Sequence, residues 1–235
     1  MRVPGWSVLA LLTAPLACSQ PPSGPATPEQ GQAYYQALNC AACHRIGGSG
    51  GDTGPDLSYV GFRHSAAWLD QWLKNPQAWQ PGTLMPNPRL SDRTRAALVA
   101  YLASLKGQEF HGVPPWDAPS EAGQDAVPRG KMIYLKAGCV ACHGTDGRGG
   151  HHNNNVPGSL IPPLSSVAGS YTLSELERKI RFGSKPAKQD PAGPEPLVSM
   201  PAWGQALSPG DIEAVSRYLL SLGGKSKQSG PESGW

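Results

Sequence analysis

Cys40-Ala41-Ala42-Cys43-His44 and Cys139-Val140-Ala141-Cys142-His143 decide how the rest of the chain is read, because one pattern, C-x-x-C-H, stands twice. Sliding the sequence against itself lays Gly31, Tyr35, Cys40, Cys43 and His44 onto Gly130, Tyr134, Cys139, Cys142 and His143 at a constant offset. Further along, Met85-Pro86 answers to Met200-Pro201, Leu90-Ser91 to Leu207-Ser208, and Tyr101-Leu102 with Ser104-Leu105 to Tyr218-Leu219 with Ser221-Leu222. A block that recurs in this way is one structural unit copied, so two similar domains are expected, at residues 29–107 and 129–224. Residues 108–128 carry Pro114-Pro115, Pro119, Glu109, Asp117, Glu121 and Asp125 with no Lys or Arg, and read as an acidic linker. Residues 225–235 read as a polar tail.

Composition sets the fold class. Hydrophobic residues make up 39% of the 235-residue chain, and Gly 29 with Pro 25 favour short helices joined by irregular connections over extended sheet. No stretch alternates as a strand. Each unit is expected to open with a helix running into its Cys pair, from Pro28 and from about Arg129. Each closes with a helix N-capped by Ser91 or Ser208, and Pro209 falls at the first helical position, where its missing N–H is harmless. Leu98, Tyr101, Leu102 and Leu105 form an apolar stripe on one closing helix, as do Ile212, Val215, Leu219 and Leu222 on the other. Residues 66–73 and 173–180 read as a further amphipathic helix in each copy. The expectation is an all-α chain of two tandem small domains, each with a core too small to stand comfortably alone.

The N-terminus reads as an export signal over residues 1–17: Met1-Arg2 is positive, Val3 to Ala17 carries no charge, and Val8-Leu9-Ala10-Leu11-Leu12 is apolar yet too short to span a bilayer. Cys18 follows directly, then a Pro/Ser/Gly-rich stretch, so residues 18–28 read as a tether. A cysteine at that place predicts lipidation, with simple cleavage as the alternative. The expected location is therefore periplasmic, or the outer face of a bacterial cytoplasmic membrane. A net charge of +3, with no Lys/Arg run, gives no reason to expect nucleic acid as a partner.

C-x-x-C-H is the pattern that attaches haem through two thioether bonds and ligates its iron with the histidine. Two cysteines three apart on a helical turn point the same way, and the adjacent imidazole is directed at the metal. A C-x-x-C pair also serves as a redox disulfide or half a zinc site, but neither explains a histidine immediately after both pairs. Two covalent haems are expected, held by Cys40 and Cys43 with His44, and by Cys139 and Cys142 with His143.

With these motifs in place, each half resembles a class I c-type cytochrome, and the whole resembles the two-domain dihaem members of that family. The likeness rests on Gly31 and Tyr35 before the first motif, Gly54-Pro55-Asp56-Leu57 after it, the Met85-Pro86 loop and the Tyr101-Leu102 helix. It implies that the first and last helices cross closely, Gly31 against Tyr101 and Gly130 against Tyr218. It also implies axial methionines at Met85 and Met200, each before a proline and just ahead of the last helix; the plainer alternative makes them core filler. Met132 reads as core packing. The resemblance further implies a proline carbonyl accepting from the ligating imidazole, Pro55 in the first domain and Pro162 in the second, where a longer loop, Asp146 to Gly158, intervenes.

Other candidates have plainer readings. His64 and His111 read as solvated polar residues. His151-His152-Asn153-Asn154-Asn155 reads as a polar loop rather than a metal or docking site, and Trp68, Trp72, Trp79 and Trp203 as core or pocket packing rather than an electron relay.

A histidine and a methionine on each iron leave no open coordination position, which implies single-electron transfer rather than catalysis. Trp72-Leu73-Lys74-Asn75-Pro76, residues 81–87 and Leu98 to Leu102 resemble cytochrome c domains fused to, or working beside, subunit II of haem-copper oxidases. The expected function is a membrane-tethered carrier, or cytochrome subunit, that exchanges electrons with a donor complex and a terminal oxidase or reductase. The enzyme alternative, a dihaem peroxidase or thiosulfate-oxidising cytochrome, needs an open or exchangeable ligand, and a sensory module needs one that changes on signal.

Overall fold

A computed structural model describes residues 24–118 and 125–224. Cys18, the expected signal and the polar tail lie outside the described residues, as do residues 119–124 of the expected linker.

Five helices build the first half: α1 (Pro28–Ala37), α2 (Val60–Arg63), α3 (Ala66–Lys74), α4 (Pro76–Trp79) and α5 (Asp92–Ser104). The starts of α1, α3, α4 and α5 follow from side chains that satisfy otherwise orphaned backbone N–H groups. Thr27 and Gln30 form a capping box ahead of Pro28. Ser65 accepts from Trp68 N and Ser91 from Thr94 N. The second half repeats the scheme with α6 (Ala126–Ile133), α7 (Val140–His143), α8 (Val167–Ser170), α9 (Leu173–Phe182) and α10 (Pro209–Ser221). Capping boxes start α9, through Thr172 and Glu175, and α10, through Ser208 and Asp211. The opening helix α6 begins three residues before the expected Arg129 and accommodates Pro128 in its first turn, where no N–H is needed. The only ladder among the described residues is a two-residue hairpin, Arg45–Ile46 against Ser49–Gly50.

The opening and closing helices of each half cross at a glycine. A Cβ on Gly31 would stand 2.0 Å from Ala97 O and 2.5 Å from Tyr101 Cβ, and one on Gly130 would stand 1.9 Å from Ala214 O and 2.9 Å from Tyr218 Cβ. Glycine at mid-helix weakens the helix, by about 0.5–1 kcal/mol relative to alanine; here it lets two backbones touch. Tyrosines reinforce each crossing, Tyr35 edge-on to Tyr101 at 5.9 Å and Tyr134 tilted against Tyr218 at 5.4 Å. The predicted stripes face inward: Leu98, Leu102 and Leu105 are buried, as are Ile212, Val215, Leu219 and Leu222.

The two cores interpenetrate. Tyr59, Phe110 and Trp116 join the core of the second half, and Val198 joins that of the first. The front part of the expected linker is therefore packed structure. Trp116 is 1% exposed and stacks on Tyr59. Arg129 fixes it by donating to Trp116 O and by bridging the carboxylates of Asp117 and Asp211, both at 2.6 Å. Composition pointed to a linker because Pro and acid dominate it; two aromatic residues decide its structure instead.

Candidate functional site

The first C-x-x-C-H lies on a single turn. After α1, Asn39 takes a left-handed conformation (φ 56°) and the chain enters a 3₁₀ turn over Cys40–Ala42. Cys43 N and His44 N both donate to Cys40 O, at 3.2 and 3.0 Å, which sets both sulfurs and the imidazole on one short arc. The following loop wraps the motif: Gly51 N donates to Ala41 O and Gly54 N to Cys43 O, each at 2.9 Å. A Cβ on Gly54 would stand 2.5 Å from the His44 ring, so only glycine leaves the imidazole its place. His44 Nδ1 lies 3.0 Å from Pro55 O. A carbonyl can only accept, so that bond places the proton on Nδ1 and leaves the Nε2 lone pair free for a metal. Tyr35 braces the turn by donating to His44 O at 3.0 Å.

The second motif is built alike with one difference. A single π turn, Tyr134–Gly138, continues α6, with Gly138 left-handed at φ 88° where Asn39 stands in the first half. Cys142 N and His143 N again donate to Cys139 O, and Tyr134 donates to Gly144 O at 2.6 Å. The imidazole lacks its counterpart of the proline bond. His143 Nδ1 is buried without a hydrogen-bond partner, so the bond expected from Pro162 is absent. The inserted loop is the reason. Gly150 and His151 pair with Ile161, and Gly149 packs against the Pro162 carbonyl carbon, holding exposed Pro162 in a hairpin of that loop's own.

Burial governs the protonation of both sites. It pushes His44 down, opposed by the Pro55 bond, and takes His143 down to about 4. Both rings are therefore neutral, the form that ligates iron. The thiols move up: Cys40 by burial, Cys139 by burial to about 12, and Cys142 likewise by burial. A redox-active dithiol needs the opposite shift. All four motif cysteines are free.

Met85 and Met200 are each half-buried against the same core as the first cysteine of their own motif, Met85 with Cys40 and Met200 with Cys139. Met85 is held on three sides: Trp72 Nε1 donates to its Sδ at 3.0 Å, Gln77 to its carbonyl at 2.6 Å, and its N–H to Thr83 Oγ1 at 3.3 Å. Met200 exchanges both backbone bonds with Ser184 at 3.0 Å, while Gly183, left-handed at φ 67°, leaves room for its carbonyl. Met132, inside α6, packs into the second core.

The residues present fit a covalently attached haem at both motifs. Each offers two unpaired thiols and a neutral imidazole on one turn, with a backbone-anchored methionine against the same core.

Several residues behave differently from their sequence reading. His64, expected in solvent, is 7% exposed and stacks on Trp68 with ring centroids 3.6 Å apart and its Nδ1 unpartnered. Trp68 in turn stacks on Trp72, which carries the bond to Met85. The loop of histidines and asparagines is a clasp. Asn153 donates to Val198 O and accepts from Val198 N, Asn154 does the same with Glu195 O and Leu197 N, and Asn155 holds Asp190 and Pro194. Three consecutive amides thereby tie down residues 190–198, the approach to Met200. Consecutive asparagines were the available signal, but their partners lie about 35–45 residues away.

Comparison with known proteins places these features. The family model described as Cytochrome c matches residues 28–106 and again 127–223. Cytochrome c oxidase subunit 2 of Alkalihalophilus pseudofirmus is 35% identical over 89 residues, 34% of this chain and 26% of that protein. The thiosulfate dehydrogenase electron acceptor of Stutzerimonas stutzeri is 27% identical over 83% of this chain and 84% of its own length. The cbb3-type cytochrome c oxidase subunit FixP of Bradyrhizobium diazoefficiens is 30% identical over 79% of this chain, which spans 58% of that subunit.

Proposed function

This chain belongs to the cytochrome c family, and from that premise we propose that it carries two covalent haems and passes single electrons between protein partners. The observation that carries the reading is the pair of C-x-x-C-H turns, folded to one plan and each followed by an anchored methionine. Cys40 and Cys43 hold the first haem with His44 and Met85 as its iron ligands; Cys139 and Cys142 hold the second with His143 and Met200. When bound, each haem supplies an iron that changes charge by one.

The protein's residues do the rest. Pro55 fixes the His44 tautomer and raises its donor strength. Trp72, by donating to the Met85 sulfur, orients the thioether and draws electron density from it. Methionine is a poorer donor than a second histidine, and the apolar surroundings disfavour the more highly charged oxidised iron, so both sites are expected at high potential. With His44 and Met85, and His143 and Met200, as its ligands, neither iron would offer a substrate a free coordination position.

The relatives support this class of role. A relative matching over most of its length is named an electron acceptor, and two others are oxidase subunits of which this chain spans only part. On that support we read the chain as an electron carrier, or carrier subunit, serving a respiratory redox complex. Export and a lipid on Cys18 would hold it at the outer membrane face; no described helix is long and apolar enough to cross a membrane.

A redox titration followed in the near-infrared, where iron–methionine ligation absorbs, tests the ligand assignment. Met85→Ala and Met200→Ala should each remove one part of that band and lower the potential of one site. The dihaem enzyme reading gains instead if the reduced wild-type protein binds carbon monoxide.

A further inference from the structure

The loop inserted in the second half reaches into the first. His152 N donates to Gln80 Oε1 at 3.1 Å, and the His152 ring meets Trp79 edge-on with centroids 4.9 Å apart. Gln80 closes α4, its own N–H donating to Pro76 O at 2.8 Å. From there hydrogen bonds lead to the first methionine: Gln80 O accepts from Thr83 N at 3.0 Å, and Thr83 Oγ1 accepts from Met85 N at 3.3 Å. Trp79 packs against the same core as Met85.

The next residue of the loop serves the other methionine. Asn153 is 2% exposed, and its amide donates to Val198 O at 2.9 Å and accepts from Val198 N at 3.1 Å. Val198 stands two residues before Met200, whose backbone pairs with Ser184. An amide that gives both its donor and its acceptor to one residue fixes a single register, because a slip would leave buried polar groups unpaired. His152 and Asn153 are neighbours in the chain, so a displacement of either methionine loop is delivered to the other across one peptide bond.

Hydrogen-bond networks and paired segments carry such a displacement, where a slack connection would absorb it. The arms of this loop pair with each other: Asn153 N donates to Ser159 O at 3.0 Å, Ile161 N to His151 O at 2.8 Å and Gly150 N to Ile161 O at 2.9 Å. Ile161, Leu197 and Val198 all pack into the core of the first half, which seats the loop against both partners at once.

We propose that His152 and Asn153, with Gln80 opposite, are positioning residues that couple the two methionine loops, so that each half sets how firmly the other presents its thioether. This rests on the reading of Met85 and Met200 as iron ligands. Coupling of this kind is reciprocal: what the first half does to Met200 through Gln80, the second does to Met85 through His152.

The test titrates the oxidised holoprotein with imidazole, which competes with methionine for the iron, and follows the loss of near-infrared absorption at each site; Met85→Ala and Met200→Ala assign the bands. Gln80→Ala, in the first half, removes the acceptor for His152 N. It is expected to lower the imidazole concentration that half-displaces Met200, in the second half, by about 2- to 30-fold. His152→Ala keeps the N–H but takes the ring from Trp79, and should ease displacement of Met85 in the same sense. Gln80→Glu keeps an acceptor oxygen and should restore the wild-type titration at the second site. Variants that melt earlier, or that loosen only the methionine of their own half, while the opposite site titrates as in the wild type, would overturn the proposal. A wild-type protein without iron–methionine absorption at either site is distinguishable from that result, and removes the ligand reading together with the coupling.

Discussion

His64 shows how one side chain is committed by its surroundings. Its ring is stacked on Trp68 and its Nδ1 is buried without a partner. Burial, reinforced by the Arg63 charge, holds it well below the ordinary value of 6.5. The folded state therefore keeps the ring neutral where the unfolded chain binds a proton. Below about pH 6.5 the unfolded state takes up more protons, and stability falls as pH falls until the buried ring itself protonates, by about 1.4 kcal/mol per pH unit. His64→Phe keeps the stack and removes the titration. Its unfolding free energy is expected to depend less steeply on pH between about 7 and 5 than that of the wild type; an identical slope would show that His64 does not contribute. Local sequence hid this, since a histidine before a helix reads as solvated and its burial is set by the ring of Trp68 stacked on it. His44 was legible for the opposite reason, because its neighbours in the chain, Cys40, Cys43 and Pro55, are also its neighbours in space.

The helices were legible at their ends and stripes, where caps such as Thr27, Ser91 and Ser208 act within four residues. Their crossings depend on contacts that no period reports. Gly130→Ala would gain helix propensity yet drive a methyl into Ala214 O, so a net loss of about 1–3 kcal/mol is expected in denaturant unfolding; a stabilised variant would show that the crossing has room. The asparagine clasp is likewise invisible to periodicity. Asn153→Ala strips partners from the buried N–H and C=O of Val198. A loss of about 1–3 kcal/mol is expected for each group left unpaired, and since the clasp leads to Met200, the iron–methionine absorption of the second site should weaken with it. A variant that loses stability with that absorption intact would confine the clasp to a structural role.

As a whole, the molecule is two copies of one unit joined more intimately than a repeat requires. Each core borrows from the other half: Val198 enters the first, and Tyr59, Phe110 and Trp116 enter the second. The internal repeat announced two domains, but it could not announce their union, because the residues at the joint, Trp116, His152 and Asn153, are those in which the copies differ. A joint of this kind would suit the proposed carrier, in which an electron would be handed from one half to the other at fixed geometry. All of this depends on each half holding a covalent redox centre. The direct measurement is the intact mass of the mature protein with a haem count per chain, alongside a variant with Cys139 and Cys142 both replaced by alanine. Two covalent haems in the wild type and one in the variant are predicted; a wild-type chain carrying one haem or none, or a variant that keeps both, would contradict the account.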